Sequence, residues 1–157
     1  MKKIIIAFFL LAVPVIDTFA QTASRFWTGD GGKGINVTVS EITGIELSVQ
    51  EQSLLYLVQG TIIGSFQKYS AMTVFDRQNL ENILKEQRLS MSGDFSDNDY
   101  IRIGQLTNAR LVVFGSITKT LTGYTLELAV TDVENGERKA SYLPVQVSLL
   151  ALENQSA

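Results

Sequence analysis

Neither cysteine nor histidine occurs anywhere in the chain. No disulfide, thiolate site or imidazole metal site can therefore staple the structure, and an apolar core has to hold it. The material for one is present: of 157 residues, 45% are hydrophobic and 18% charged. That length suits a single domain, and that composition excludes a disordered chain. The same two missing residue types exclude a Cys or His nucleophile, a Ser-His-Asp triad and an imidazole base. Carboxylate chemistry, binding and scaffolding remain. With thirteen basic against sixteen acidic residues the net charge is −3, which argues against a nucleic-acid binder.

The amino terminus reads as an export signal over residues 1–20. Lys2 and Lys3 precede an unbroken apolar run from Ile4 to Val13, and Thr18-Phe19-Ala20 places small residues where a signal peptidase cuts. The run is about half of the roughly twenty residues a membrane span needs; the other reading is a retained anchor. Cleavage after Ala20 predicts a periplasmic or secreted product with no transmembrane span. Residues 21–34 are polar and glycine-rich around Phe26 and Trp27 and are expected to form a flexible arm.

Beyond the arm the periodicities alternate. Ile35 to Ser40 alternates apolar and polar as a half-buried strand does, and a turn is expected around Gly44. Ser48-Val49-Gln50-Glu51 has capping-box spacing, and Leu54, Leu55, Val58, Ile62 and Phe66 lay an apolar helical stripe as far as about Tyr69. Gly60 and Gly64, four apart, suggest close packing of that helix on a sheet. Ala71 to Phe75 reads as a short strand, and Asp76 as the cap of a helix carrying Leu80, Ile83 and Leu84. Ser96 with Asp99 caps a third, short helix ending at Asn108. Leu111 to Phe114 is continuously apolar, as a central strand should be. Tyr124, Leu126, Leu128 and Val130 alternate with polar or small neighbours. Asn135-Gly136 predicts a two-residue hairpin turn, and a last strand from Glu137 is expected to stop at Pro144. The expected fold class is α/β: one mixed sheet, in the order β-α-β-α-α-β-β-β, packed against helices over residues 35–147, with a short tail at 148–157.

Candidate sites are few. Gly29-Asp30-Gly31-Gly32-Lys33-Gly34 satisfies G-x-G-x-x-G but precedes a strand instead of opening a helix, so it lacks the setting that puts a phosphate on a helix amino terminus. Asp94, Asp97 and Asp99 crowd one loop without the glycine and closing glutamate of an EF-hand, and helix capping accounts for two of them. Asp76 with Arg77 reads as a cap and a local ion pair; a carboxylate hydrolase would need a second acid in the same cleft. We assign no catalytic residue, no cofactor and no metal. Phe26 and Trp27 either close over a sheet edge or anchor a partner, because large aromatics dominate interface hot spots. With Lys33 they are the candidate partner-binding residues.

Five segments, in order, resemble one envelope superfamily. They are Met72-Thr73-Val74-Phe75-Asp76-Arg77-Gln78-Asn79-Leu80 through Gln87, Ser92-Gly93, Ile103 to Ala109, Val112-Val113-Phe114-Gly115-Ser116-Ile117-Thr118, and Asp132-Val133-Glu134-Asn135-Gly136. The superfamily includes the curli-secretion protein CsgG and the penicillin-binding-protein activator LpoB, and is related to the amino-terminal domain of TolB. The resemblance implies a non-catalytic periplasmic domain that docks an envelope protein. That partner would be a peptidoglycan synthase or a component of a secretion complex, and self-association into an oligomer stays open. Family lipoproteins carry a lipobox cysteine that this chain lacks, and no stretch is long enough for the pore-building hairpins of CsgG.

Overall fold

The structure is a computed structural model of the full chain, and residues 2–28, 34–75, 82 and 96–148 are described. The elements run α1 (Lys2–Thr28), β1 (Ile35–Ile45), α2 (Ser53–Gln67), β2 (Met72–Val74), α3 (Asp97–Leu106), β3 (Leu111–Thr120), β4 (Gly123–Asp132) and β5 (Arg138–Ser148). One five-stranded sheet has the order β2-β1-β3-β4-β5. Its β1–β2 and β1–β3 pairs are parallel, and its β3–β4 and β4–β5 pairs antiparallel. The mixed α/β sheet expected from the periodicities is therefore present. The continuously apolar strand is its middle member, with Leu111, Val113 and Ile117 in one core and Val112 and Phe114 in the other.

The larger core lies on the face covered by α1 and α2. Leu54, Val58, Ile62 and Phe66 of α2 meet Val37, Ile42, Leu111, Val113, Leu126 and Val130 of the sheet there. On the opposite face α3 contributes Tyr100 and Ile103, which join Val112, Phe114 and Ala129. Tyr100 stacks on Phe114 with ring centroids 3.7 Å apart. Ser96 caps α3 as its spacing predicts: its amide and its hydroxyl both donate to Asp99 Oδ2, at 2.8 and 2.6 Å.

Several expectations are corrected. Residues 21–28 are not an irregular arm but the last two turns of α1. That helix supplies Phe8, Ala12, Ile16, Phe19, Ala20 and Ala23 to the core. Their spacing makes one stripe, and Leu10 on the outer side is 69% exposed. β1 continues through Gly44 to Ile45, absorbing an irregularity between Val39 and Ile42, so no turn forms at Gly44. Gly60 and Gly64 face outward, and a Cβ at either would meet nothing within 4 Å; they mediate no close packing. α2 starts at Ser53, later than the capping-box spacing suggests, although Glu51 Oε2 does accept the Ser48 amide at 2.8 Å.

At the carboxyl end the Asn135-Gly136 pair sits in a longer loop, closed by Asp132 N–H donating to Glu137 O at 3.0 Å. Only Gly136 there has positive φ, 69°, so the turn is not the two-residue type. β5 runs past Pro144 to Ser148, and its pairing with β4 shifts register between Leu126 and Leu128. An edge strand tolerates proline at such an irregularity, because no ladder hydrogen bond is lost there. The helix expected after Asp76, the Ser92-Gly93 loop and the tail from Leu149 lie outside the described residues, Asn82 apart.

Candidate interaction surface

Phe26 and Trp27 arrive at one corner of the sheet because α1 keeps its helical course to Thr28. There β1 begins, α3 ends and β4 turns. Their two rings meet edge to face at 4.7 Å. Trp27 is half-buried against the larger core, and its Nε1–H donates to Asp132 Oδ2 at 3.0 Å. Phe26 stays 60% exposed. Of the two roles the sequence leaves open for this pair, Trp27 thus takes the packing role, and Phe26 offers its ring to solvent. Lys33 lies outside the described residues, as do Gly29 to Gly32 of the glycine motif.

Asp132 organises this corner. Its carboxylate is 3% exposed and accepts from Trp27, from Arg110 Nη2 at 3.4 Å and from the Glu134 amide at 3.1 Å. Arg110 also pairs with Glu134 at 3.2 Å. Beside these groups opens a cavity of about 830 Å³, lined by Trp27, Asn36, Gln105, Asn108, Arg110 and Glu134 among others. Asn108 closes α3 with φ at 52°, a left-handed conformation that asparagine tolerates better than most residues, and its carbonyl accepts Asn36 Nδ2 at 3.0 Å. An acid held by three donors is a positioning device that fixes the aromatic corner.

A second buried carboxylate lies beside the β3–β4 turn. Glu51 accepts Lys119 Nζ at 2.9 Å, the Ser48 amide and the Tyr124 hydroxyl. Burial by itself would raise its pKa, but these donors more than offset it and hold the group at about 2. Burial and the same carboxylate push the Tyr124 phenol up to about 12. Neither pair was legible in the sequence. Glu51 carried only a capping signal and Asp132 only a turn signal, and no local pattern announces a partner 68 or 105 residues away.

Of the acids read from the sequence, only the Asp99 side chain is described. Asp99 is spent on the α3 cap, the Asp97 side chain lies outside the description, and Asp76 and Asp94 are not among the described residues. Among the described residues no three acids cluster so as to hold a metal ion.

The family model for the curli production assembly/transport component CsgG matches residues 57–123, from within α2 to the start of β4. The LpoB C-terminal domain from Salmonella enterica superposes with a TM-score of 0.66 at 15% identity, over 84% of this chain and 96% of that one. The chain therefore has the LpoB-like fold. The LpoB C-terminal domain from Escherichia coli gives a TM-score of 0.55 at 17% identity, over 79% of this chain and 95% of that one. Lipoprotein GNA1162 from Neisseria meningitidis gives 0.52 at 13%, over 78% and 92%. No curated protein matches the chain significantly. No helix among the described residues is long and apolar enough to cross a membrane.

Proposed function

We propose that this CsgG/LpoB-like chain is a non-catalytic protein-interaction domain of the cell envelope, exported by residues 1–20 and regulating a peptidoglycan synthase by binding it. The observation that carries the reading is the fold: the chain matches the LpoB C-terminal domains over 96% and 95% of their length. The corner built by Trp27, Asp132 and Arg110 supports it, because it fixes an exposed aromatic, Phe26, beside a polar cavity. Phe26 and Trp27 both lie beyond Ala20 and would remain after processing. The match to the CsgG family favours a second reading, an accessory component of a secretion or surface-assembly system.

A photocrosslinking amino acid at Phe26, irradiated in intact cells, separates the two. Adducts with a peptidoglycan synthase are expected. Adducts confined to an outer-membrane channel component would favour the second reading. Release of soluble fragments from purified cell wall by the purified protein would overturn the non-catalytic reading altogether.

A further inference from the structure

Helix α1 occupies an apolar groove, and the residues that fill it are the ones an export signal loses. Phe8 meets Tyr124 of β4 edge-on at 5.6 Å, and Phe19 meets Phe66 of α2 at 6.0 Å. Ile16 and Ala20 are buried between them in the same core, and the helix also runs along β5. Polar contacts at Asp17 mark the rim. Asp17 accepts Lys68 Nζ at 2.8 and 3.0 Å and the Ser65 hydroxyl.

Cleavage after Ala20 removes every one of these groups except the residues from Gln21 onward, whose Trp27 stays pinned to Asp132. Each of the two phenylalanines covers about 150–250 Å². Their loss uncovers an apolar surface of several hundred Å², large enough to mark a binding site on a soluble protein. The seat has a shape and a polarity. It takes a helix with a large-small-large apolar stripe spaced as Phe8, Ala12, Ile16 and Phe19 are, and it offers an ammonium and a hydroxyl where that helix carries an acid.

We propose that, in the processed protein, this groove receives an amphipathic helix of a partner protein, with an apolar stripe of that spacing and a carboxylate facing Lys68 and Ser65. Helix-in-groove docking uses this kind of stripe, and the α1 segment is its intramolecular template. The inference rests on the export reading given under Proposed function and specifies the kind of partner that reading requires.

The test uses the protein as cells process it, purified from the envelope fraction, with its amino terminus established by intact mass. The probe is a fluorescein-labelled peptide of residues 2–20 carrying Leu10→Gln for solubility. Saturable binding is expected to a protein that begins at Gln21. Ile16→Asp in the peptide should abolish it, because an unpaired charge would enter the apolar seat. Lys68 is solvent-facing, so Lys68→Glu keeps the fold; it should weaken binding about fivefold, and Asp17→Lys in the peptide should restore it. A processed envelope protein that fails to bind, or binds the Ile16→Asp peptide equally well, overturns the groove and leaves the envelope function standing. A protein that retains residues 1–20 overturns it too, since the groove is then never vacated. Retention together with a cytoplasmic location would also overturn the envelope reading.

Discussion

Glu51 is a buried charge whose worth depends on three donors from three places in the chain: Ser48 beside it, Lys119 at the end of β3 and Tyr124 at the start of β4. Its folded pKa of about 2 lies below the unfolded value of 4.5, so folding favours the ionised form. The stabilisation is complete above the unfolded value and is lost as pH falls through 4.5 towards 2. At its full extent the shift corresponds to about 3 kcal/mol, of which about 2 kcal/mol is gone by pH 3. Glu51→Gln should therefore lower stability at pH 7 by about 2–3 kcal/mol yet flatten the acid limb, which urea unfolding at pH 7 and pH 3 would measure. Equal acid sensitivity in the variant would assign that sensitivity to other carboxylates. Tyr124 has the opposite sign. Its raised pKa preserves the neutral phenol, and the associated stability is lost only as pH rises above 10 towards about 12.

Among the elements, α2 is more tolerant of added bulk than the sheet it covers. Gly60 and Gly64 sit on its outer side with open space around a notional Cβ, so they keep the backbone entropy cost of glycine without a packing return. Gly60→Ala and Gly64→Ala should each stabilise by about 0.5–1 kcal/mol, raising Tm by about 2 °C apiece. β3 and β4 allow no such gain. A Cβ at Gly115 would stand 2.2 Å from the Glu127 carbonyl oxygen and 2.9 Å from Leu128 Cδ2. The first obstacle is backbone and cannot swing away. Gly115→Ala should cost about 2–3 kcal/mol, visible as a Tm several degrees lower; an unchanged Tm would mean that the β3–β4 spacing adjusts. The two glycine classes are indistinguishable by spacing alone, since what separates them is the neighbour each faces across the fold.

At the scale of the whole molecule, the periodicities carried the architecture. Period-two and helical stripes located β1, α2 and β4, the continuously apolar run located β3, and the Ser96–Asp99 spacing located the start of α3. What they missed is long-range. Pro144 reads locally as a stop, yet β5 lies at the edge of the sheet and continues past it by shifting register. The α1 segment reads as an address because its apolar run is uninterrupted, and nothing local shows that one stripe of it fits a groove assembled from α2, β4 and β5. Trp27, the single tryptophan, joins these distant parts, since its indole reaches Asp132 across 105 residues of chain. That contact makes fluorescence a reporter of whether the end of α1 and the sheet unfold together. In urea, the tryptophan emission and the far-ultraviolet circular dichroism should give coincident midpoints, as a single two-state unit requires. Asp132→Asn weakens the charge-assisted bonds to both Trp27 and Arg110 and should cost about 1.5–3 kcal/mol while leaving the two midpoints coincident. An emission change that precedes the loss of secondary structure would instead show that the aromatic corner detaches while the sheet stands. The surface presented by Phe26 would then be set by a hinged segment and not by the rigid sheet behind it.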